Sequence, residues 1–206
     1  MHASTSLLLI RHGEVEERYH NTFGGRIDMG LSPRGHAQAT ALARYLERQP
    51  PDAVYASPMR RAQETLTPCA PHARRAPVTR AELREVDFGD WTGLRWEEVQ
   101  ARYGVSAFDW LQQIEQAAIP NGESGQRVRA RVEPCLREIL ARHAHERVAI
   151  ICHGGIVRTI LSLLLDLPLA KMAGFEVDYA SVTRVEYRPC KTEVTLLNYA
   201  PWRDVP

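Results

Sequence analysis

Three short apolar runs, each ending on polar side chains able to do chemistry, constrain this chain more than any other feature of it. Leu7-Leu8-Leu9-Ile10 runs into Arg11-His12-Gly13-Glu14, and Ala53 to Ala56 runs into Ser57-Pro58-Met59-Arg60-Arg61. Val148-Ala149-Ile150-Ile151-Cys152 runs into His153-Gly154-Gly155. Continuous apolar runs of this length suit strands covered on both faces. Helical patterns lie between them. Pro33 follows Ser32 as a candidate N-cap, with Ala39, Leu42, Tyr45 and Leu46 on one face. Val128, Val132, Cys135, Leu136, Ile139, Leu140 and His143 make a second apolar face, which Pro134 is expected to kink or interrupt. Ile156 to Leu165 reads as a buried helix, and Ser181–Tyr187 and Thr192–Asn198 read as strands on either side of Arg188-Pro189-Cys190-Lys191. Strand and helix alternating in this way argue for an α/β fold with a mostly parallel sheet and a final antiparallel portion. Residues 91–124, rich in Trp, Gln and Glu, are expected to form a small helical cap inserted over the sheet.

At 206 residues, with 44% hydrophobic and 25% charged residues, the chain suits one domain over 1–206. A formal net charge of +1 gives no reason to expect nucleic acid or a membrane surface as partner. Anion recognition must then come from individually placed arginines. No apolar run is long enough for a signal-peptide core or a membrane span, so a cytoplasmic location is expected. Cys69, Cys135, Cys152 and Cys190 form no C-x-x-C pair and are expected as reduced thiols packed like small hydrophobes.

In open α/β sheets ligands bind at the carboxyl ends of the strands, where Arg11, His12, Ser57, Arg61 and His153 all fall. Glu85, in the loop-like stretch Leu83 to Gly89, is a fourth candidate element of the same site. Singly, each has a structural reading: a hydrogen-bonded histidine, an arginine on a helix face, a solvated carboxylate, a helix cap. Their order and spacing are another matter. The motifs LLLIRHGE, GGRIDMGLSPRG, YASPMRRAQET, LREVDFGDWTG, PNGES and IICHGGIVR together resemble the histidine phosphatase superfamily, also called phosphoglycerate mutase-like, from Leu7 to about Tyr199.

The resemblance implies a three-layer α/β/α fold and a phosphohistidine intermediate formed without metal or other cofactor. It implies His12 as nucleophile, Glu85 as proton donor, and Arg11, Arg61 and His153 as the phosphate pocket, with Gly154 supplying main-chain N–H. Arg61 rather than Arg60 matches the motif S-P-x-x-R-A. These residue types answer the chemistry. Two planar, permanently charged guanidinium groups suit the oxygens of a phosphomonoester dianion. A helix start after His153 adds an anion site. His12 must be unprotonated at the attacking nitrogen and tied down at the other. His153 is expected as a cation or donor toward oxygens whose charge grows during transfer. Glu85 can protonate the leaving alkoxide if burial beside the dianion keeps its carboxyl protonated.

The chain departs from the family in its first loop. Many members carry a phosphate-touching Asn or Ser where Arg18 stands here. Either Arg18 takes over that contact or the loop follows another path. The Trp-Asn pair and longer insertion of the mutases are absent, which disfavours mutase activity. RHGEVE, GGRIDMGLSPRG, LREVDFGDWTG and PNGE are similar to alpha-ribazole phosphatases of cobalamin assembly and to broad-specificity phosphatases. Arg26 and Glu123 are carried as substrate contacts, although Glu123 also suits a plain role at a helix start. Trp91, Trp96, Phe108 and Trp110 suggest either a wall for a nucleoside-like substrate or ordinary cap packing. The expected partner is a small phosphomonoester, and a monomer and a homodimer remain equally open. A metal hydrolase using His143 and His145 is disfavoured, since i, i+2 spacing puts them on different helix faces. A catalytically silent binding module would be expected to have lost one of His12, Arg61, Glu85 or His153.

Overall fold

The computed structural model describes residues 4–204. Leu7 to Ile10 lie inside β1 (Thr5–Arg11), at 1% exposure or less. Ala53–Ala56 forms β2, Val78–Thr79 forms β3, and Arg147–Cys152 forms β4. Val182–Arg188 (β5) and Lys191–Tyr199 (β6) close the chain as a hairpin. The sheet order is β3-β2-β4-β1-β5-β6, with the first four strands parallel and the last two antiparallel.

The period-2 alternation of strand side chains divides the core into two layers. Leu8, Ile10, Val54, Ala56, Ala149 and Ile151 point to one face, under α1 (Pro33–Arg48) and α2 (Arg60–Cys69). Leu7, Leu9, Tyr55, Val148, Ile150 and Cys152 point to the other. That face is covered by α5 (Gly125–Arg142) and α6 (Gly154–Leu165), together with the insertion. Between them, α3 (Trp96–Tyr103) and α4 (Trp110–Glu115) form the cap expected over residues 91–124. The result is the three-layer α/β/α arrangement. Ser32 Oγ accepts from Gly35 N at 3.0 Å and caps α1 with Pro33 in its first turn, as the sequence pattern implies.

Two expectations need correction, and one strand lies outside them. Pro134 neither breaks nor interrupts α5, which runs continuously through it. Pro134 and Ala130 are both exposed, so the carbonyl that loses its N–H partner is open to water. Cys190 does not pack as a hydrophobe: it is exposed in the hairpin loop, whereas Cys69, Cys135 and Cys152 are buried. Finally, β3 was not foreseen, because two residues beside Pro77 carry no readable period.

Candidate active site

The carboxyl ends of β1, β2 and β4 converge on one cavity of about 470 Å³. β1 ends at Arg11 and delivers His12, 5% exposed. β2 ends at Ala56, and after Ser57-Pro58-Met59 the first turn of α2 turns Arg61 inward, at 2% exposure. Its neighbour Arg60 turns outward onto Glu64 at 2.7 Å. β4 ends at Cys152 and delivers His153 as the N-cap of α6, wholly buried. The His12 and His153 rings stand edge to face at 5.2 Å. Glu85 reaches in from its loop: its two oxygens accept from Val86 N at 3.0 Å and Gly155 N at 3.2 Å. A Cβ on Gly155 would fall 2.5 Å from Glu85 Oε1, so only glycine lets the carboxylate reach the start of α6.

Hydrogen bonds fix which nitrogens are free. His12 Nδ1 lies 2.7 Å from Gly13 O, which can only accept, so Nδ1 carries the proton and Nε2 keeps its lone pair. Arg61 Nε donates to that lone pair at 3.1 Å and to His153 Nδ1 at 3.2 Å. His153 then carries its proton on Nε2 and donates to Ser57 Oγ at 2.7 Å. Burial, then Arg61 and Arg11, push the His12 ring well below its ordinary range, against the Gly13 hydrogen bond. Burial, Arg61 and His12 do the same to His153. Both rings are neutral in this arrangement. For His12 that is the form a nucleophile needs. For His153, expected as a cation or donor, it favours the neutral donor, because desolvation beside arginine penalises the charged ring.

Three guanidinium groups line the cavity rather than two, Arg158 of α6 being the third. All three are held by neutral main-chain carbonyls. Arg11 donates to Val177 O at 2.7 Å, and Arg61 donates to Ile27 O at 2.8 Å and Gly25 O at 3.0 Å. Arg158 donates to Gly154 O at 3.3 Å and Phe175 O at 3.0 Å. Burial brings Arg61 and Arg158 down to about 10. They remain charged at neutral pH; their tethers are neutral, and the carboxylates of Glu85 and Glu176 at the cavity offset the three positive charges only in part. Such a pocket is built for an anion.

A family model for the histidine phosphatase superfamily (branch 1) matches residues 7–200. The chain belongs to this superfamily.

This phosphatase is 30% identical over 192 residues to phosphoserine phosphatase 1 of Hydrogenobacter thermophilus, covering 93% of this chain and 91% of that protein. It is 28% identical over 172 residues to a glucosyl-3-phosphoglycerate phosphatase of Mycobacterium tuberculosis, covering 80% and 77%. Among solved structures, the alpha-ribazole phosphatase from Shigella flexneri superposes with a TM-score of 0.81 at 26% identity, over 95% of this chain and 96% of that one.

Arg11, His12, Arg61, Glu85, His153 and Gly154, the residues that the sequence motifs single out, are thus brought together in one place. The other candidates are not. Arg18 lies outside the cavity lining, its side chain 69% exposed and paired with Glu16 at 2.9 Å. The loop takes another path, turning through Glu17–Tyr19 and presenting Tyr19 to the cavity instead. Arg26 is exposed on a separate, smaller cleft with Asp28 and Arg84. Glu123 is buried and bound to Arg131 at 2.6 and 2.9 Å, beside the start of α5. Burial would raise this carboxyl, but Arg131 and the Asp87 N–H outweigh it and hold it below its ordinary value. Of the cap aromatics, Trp91 is core, at 1% exposure, whereas Trp96, Phe108 and Trp110 line the cavity with Tyr19, Phe23 and Phe88. His143 is bonded to Tyr55 at 2.8 Å and to Glu146 at 2.6 Å, a structural network at the opposite end of the strands. Arg158, Tyr179 and Glu176 also line the cavity and were missed. Arg158 stood visible in IICHGGIVR, one helical turn after Gly154, which puts it on the same face of the helix.

Proposed function

We propose that this phosphatase hydrolyses phosphomonoesters through a phosphohistidine on His12, with no metal in the reaction. The observation that carries the reading is the His12 tautomer: a lone pair at Nε2 on the cavity floor, its ring tied at Nδ1 to Gly13 O at 2.7 Å. In the first step Nε2 attacks phosphorus and the phosphorus–ester oxygen bond breaks. Glu85 gives its proton to the departing alkoxide. Water then attacks the phosphohistidine, its proton passes to Glu85, and phosphate leaves a neutral His12 behind. Arg11, Arg61 and the N–H groups opening α6 hold the equatorial oxygens throughout. Arg61 Nε, which rests on the His12 lone pair, exchanges that contact for a phosphate oxygen and so uncovers the nucleophile.

For the leaving group, the aromatic lining supports a substrate larger than a three-carbon phosphate, with a flat ring to stack. Phe108 is 77% exposed and Trp96 40%, and they meet edge to face at 6.2 Å on the cavity wall. Exposed rings of that kind serve packing poorly and stacking well. Alpha-ribazole 5′-phosphate is the concrete candidate. On that reading the enzyme works in the cytoplasm, in cobalamin assembly.

The test is phosphate release from alpha-ribazole 5′-phosphate, phosphoserine, 3-phosphoglycerate and p-nitrophenyl phosphate, with a chelator present. His12→Ala should lower turnover by roughly 10⁴-fold or more. Glu85→Gln should cost about 10²-fold on alkyl esters and much less on the nitrophenyl ester, whose leaving group needs no proton. Equal losses on both esters would remove Glu85 from the proton-donor role. Activity retained by His12→Ala, or abolished by the chelator, would remove the mechanism.

A further inference from the structure

Residues 175–181, which lead into β5, form one wall of the phosphate pocket and are pinned at several points. Ala180 N donates to His12 O at 3.0 Å. Asp178 N donates to Asn198 Oδ1 at 2.7 Å, and Asn198 Nδ2 donates back to Asp178 Oδ2 at 2.9 Å. Phe175 O takes Arg158, and Tyr179 O takes Trp202 Nε1 at 2.7 Å. So fixed, the segment presents two groups to Arg11. Val177 O accepts from Nη1, and the Tyr179 ring lies 3.9 Å from the guanidinium carbon. The same ring is 5.7 Å from the His12 ring.

A guanidinium serves a phosphate only when its planar fork is aligned with the oxygens. A single carbonyl tether leaves the plane free to rotate about that bond. A carboxylate would align it but would also neutralise the charge the phosphate needs. An aromatic face aligns it and leaves the charge in place. Arg11 Nε is buried without a partner, on the side toward Gly154, where a Cβ would stand 3.7 Å away. Its second edge is thereby kept for an anion at the start of α6.

We propose that Tyr179 is a positioning residue for phosphate binding, acting through Arg11 by stacking on its guanidinium plane. The inference rests on the phosphate-pocket reading above and deepens it. Tyr179 holds no proton for the reaction and works through its ring face, so its hydroxyl is dispensable.

The experiment measures the dissociation constant of inorganic phosphate by calorimetry, which needs no turnover, on the full chain and its variants. Tyr179→Leu should weaken phosphate about three- to thirty-fold, the range of a partly desolvated cation–π contact. Tyr179→Phe should stay within about twofold of the parent, since the ring is kept. On an Arg11→Ala background, Tyr179→Leu should weaken phosphate no further, because its effect runs through the arginine. Tyr179→Met fills the same space should leucine disturb the packing, and the same outcomes apply to it. The inference is overturned if Tyr179→Phe weakens phosphate as much as Tyr179→Leu. It is equally overturned if the leucine effect persists without Arg11, or if neither variant shifts the constant. A parent protein that binds phosphate yet ignores Tyr179 sinks this inference alone. A parent protein that binds no phosphate sinks the pocket reading and this inference with it.

Discussion

His12 and His153 are 5% and 0% exposed, and each is held neutral chiefly by burial and then by Arg61. In the unfolded chain both would titrate near about 6.5. Their folded values lie below that, so the unfolded state binds more protons as pH falls. Stability contributed by this difference is complete above about pH 6.5 and is lost progressively on acidification. Thermal unfolding followed from pH 7.5 down to pH 5 should therefore show a melting temperature that falls with pH. His12→Gln, which removes one of the two titrations, should fall less steeply than the parent. Parallel slopes for the two proteins would mean that the His12 ring is not desolvated as described. The same burial sets the chemistry. A neutral ring with Nδ1 tied to Gly13 O has one nucleophilic atom, and the arginine charges that suppress its protonation are those that, in the proposed mechanism, hold the phosphate.

At the scale of elements, the loop that carries Glu85 owes its position to α5. Arg131 donates to the carbonyls of Glu82, of Arg84 at 2.9 Å and of Glu85 at 3.3 Å. Glu123 grips the same guanidinium and also accepts from Asp87 N at 3.2 Å. Glu123 therefore supports the site without touching the cavity, and its motif PNGES was a sign of anchoring rather than of substrate contact. Glu123→Ala leaves Arg131 partly buried without its carboxylate, and should cost about 2–4 kcal/mol in chemical denaturation. Through Glu85 it should also slow alkyl phosphates more than aryl phosphates. A cost below about 0.5 kcal/mol would show the pair to be incidental. The cap shows where pattern reading reaches its limit. Its helical character was readable from composition. Which rings face the cavity was not: Trp91 and Trp96 look alike in sequence, yet one is core and the other is 40% exposed on the cavity wall.

For the molecule as a whole, β1, β2 and β4 were legible because double burial leaves continuous apolar runs, and the site was legible because those runs end on Arg11-His12, Ser57 and His153. Contacts that depend on how distant segments fold back were not legible. Tyr179 lies far from Arg11 in sequence with no motif to mark it, and Arg18 matched a family position but lies on the surface, paired with Glu16. The arginine count in the pocket was low by one for a related reason, since Arg158 reads as one more residue of a buried helix until the cavity is seen. The central proposal is that His12 Nε2 takes the phosphoryl group. The most direct test is rapid quenching of the working enzyme with a labelled phosphomonoester, followed by peptide mapping. The account predicts one phosphoryl group on His12, lost in acid and stable in base, formed no slower than turnover and absent from His12→Ala. Turnover with no such adduct, or an adduct mapped to another residue, would contradict it.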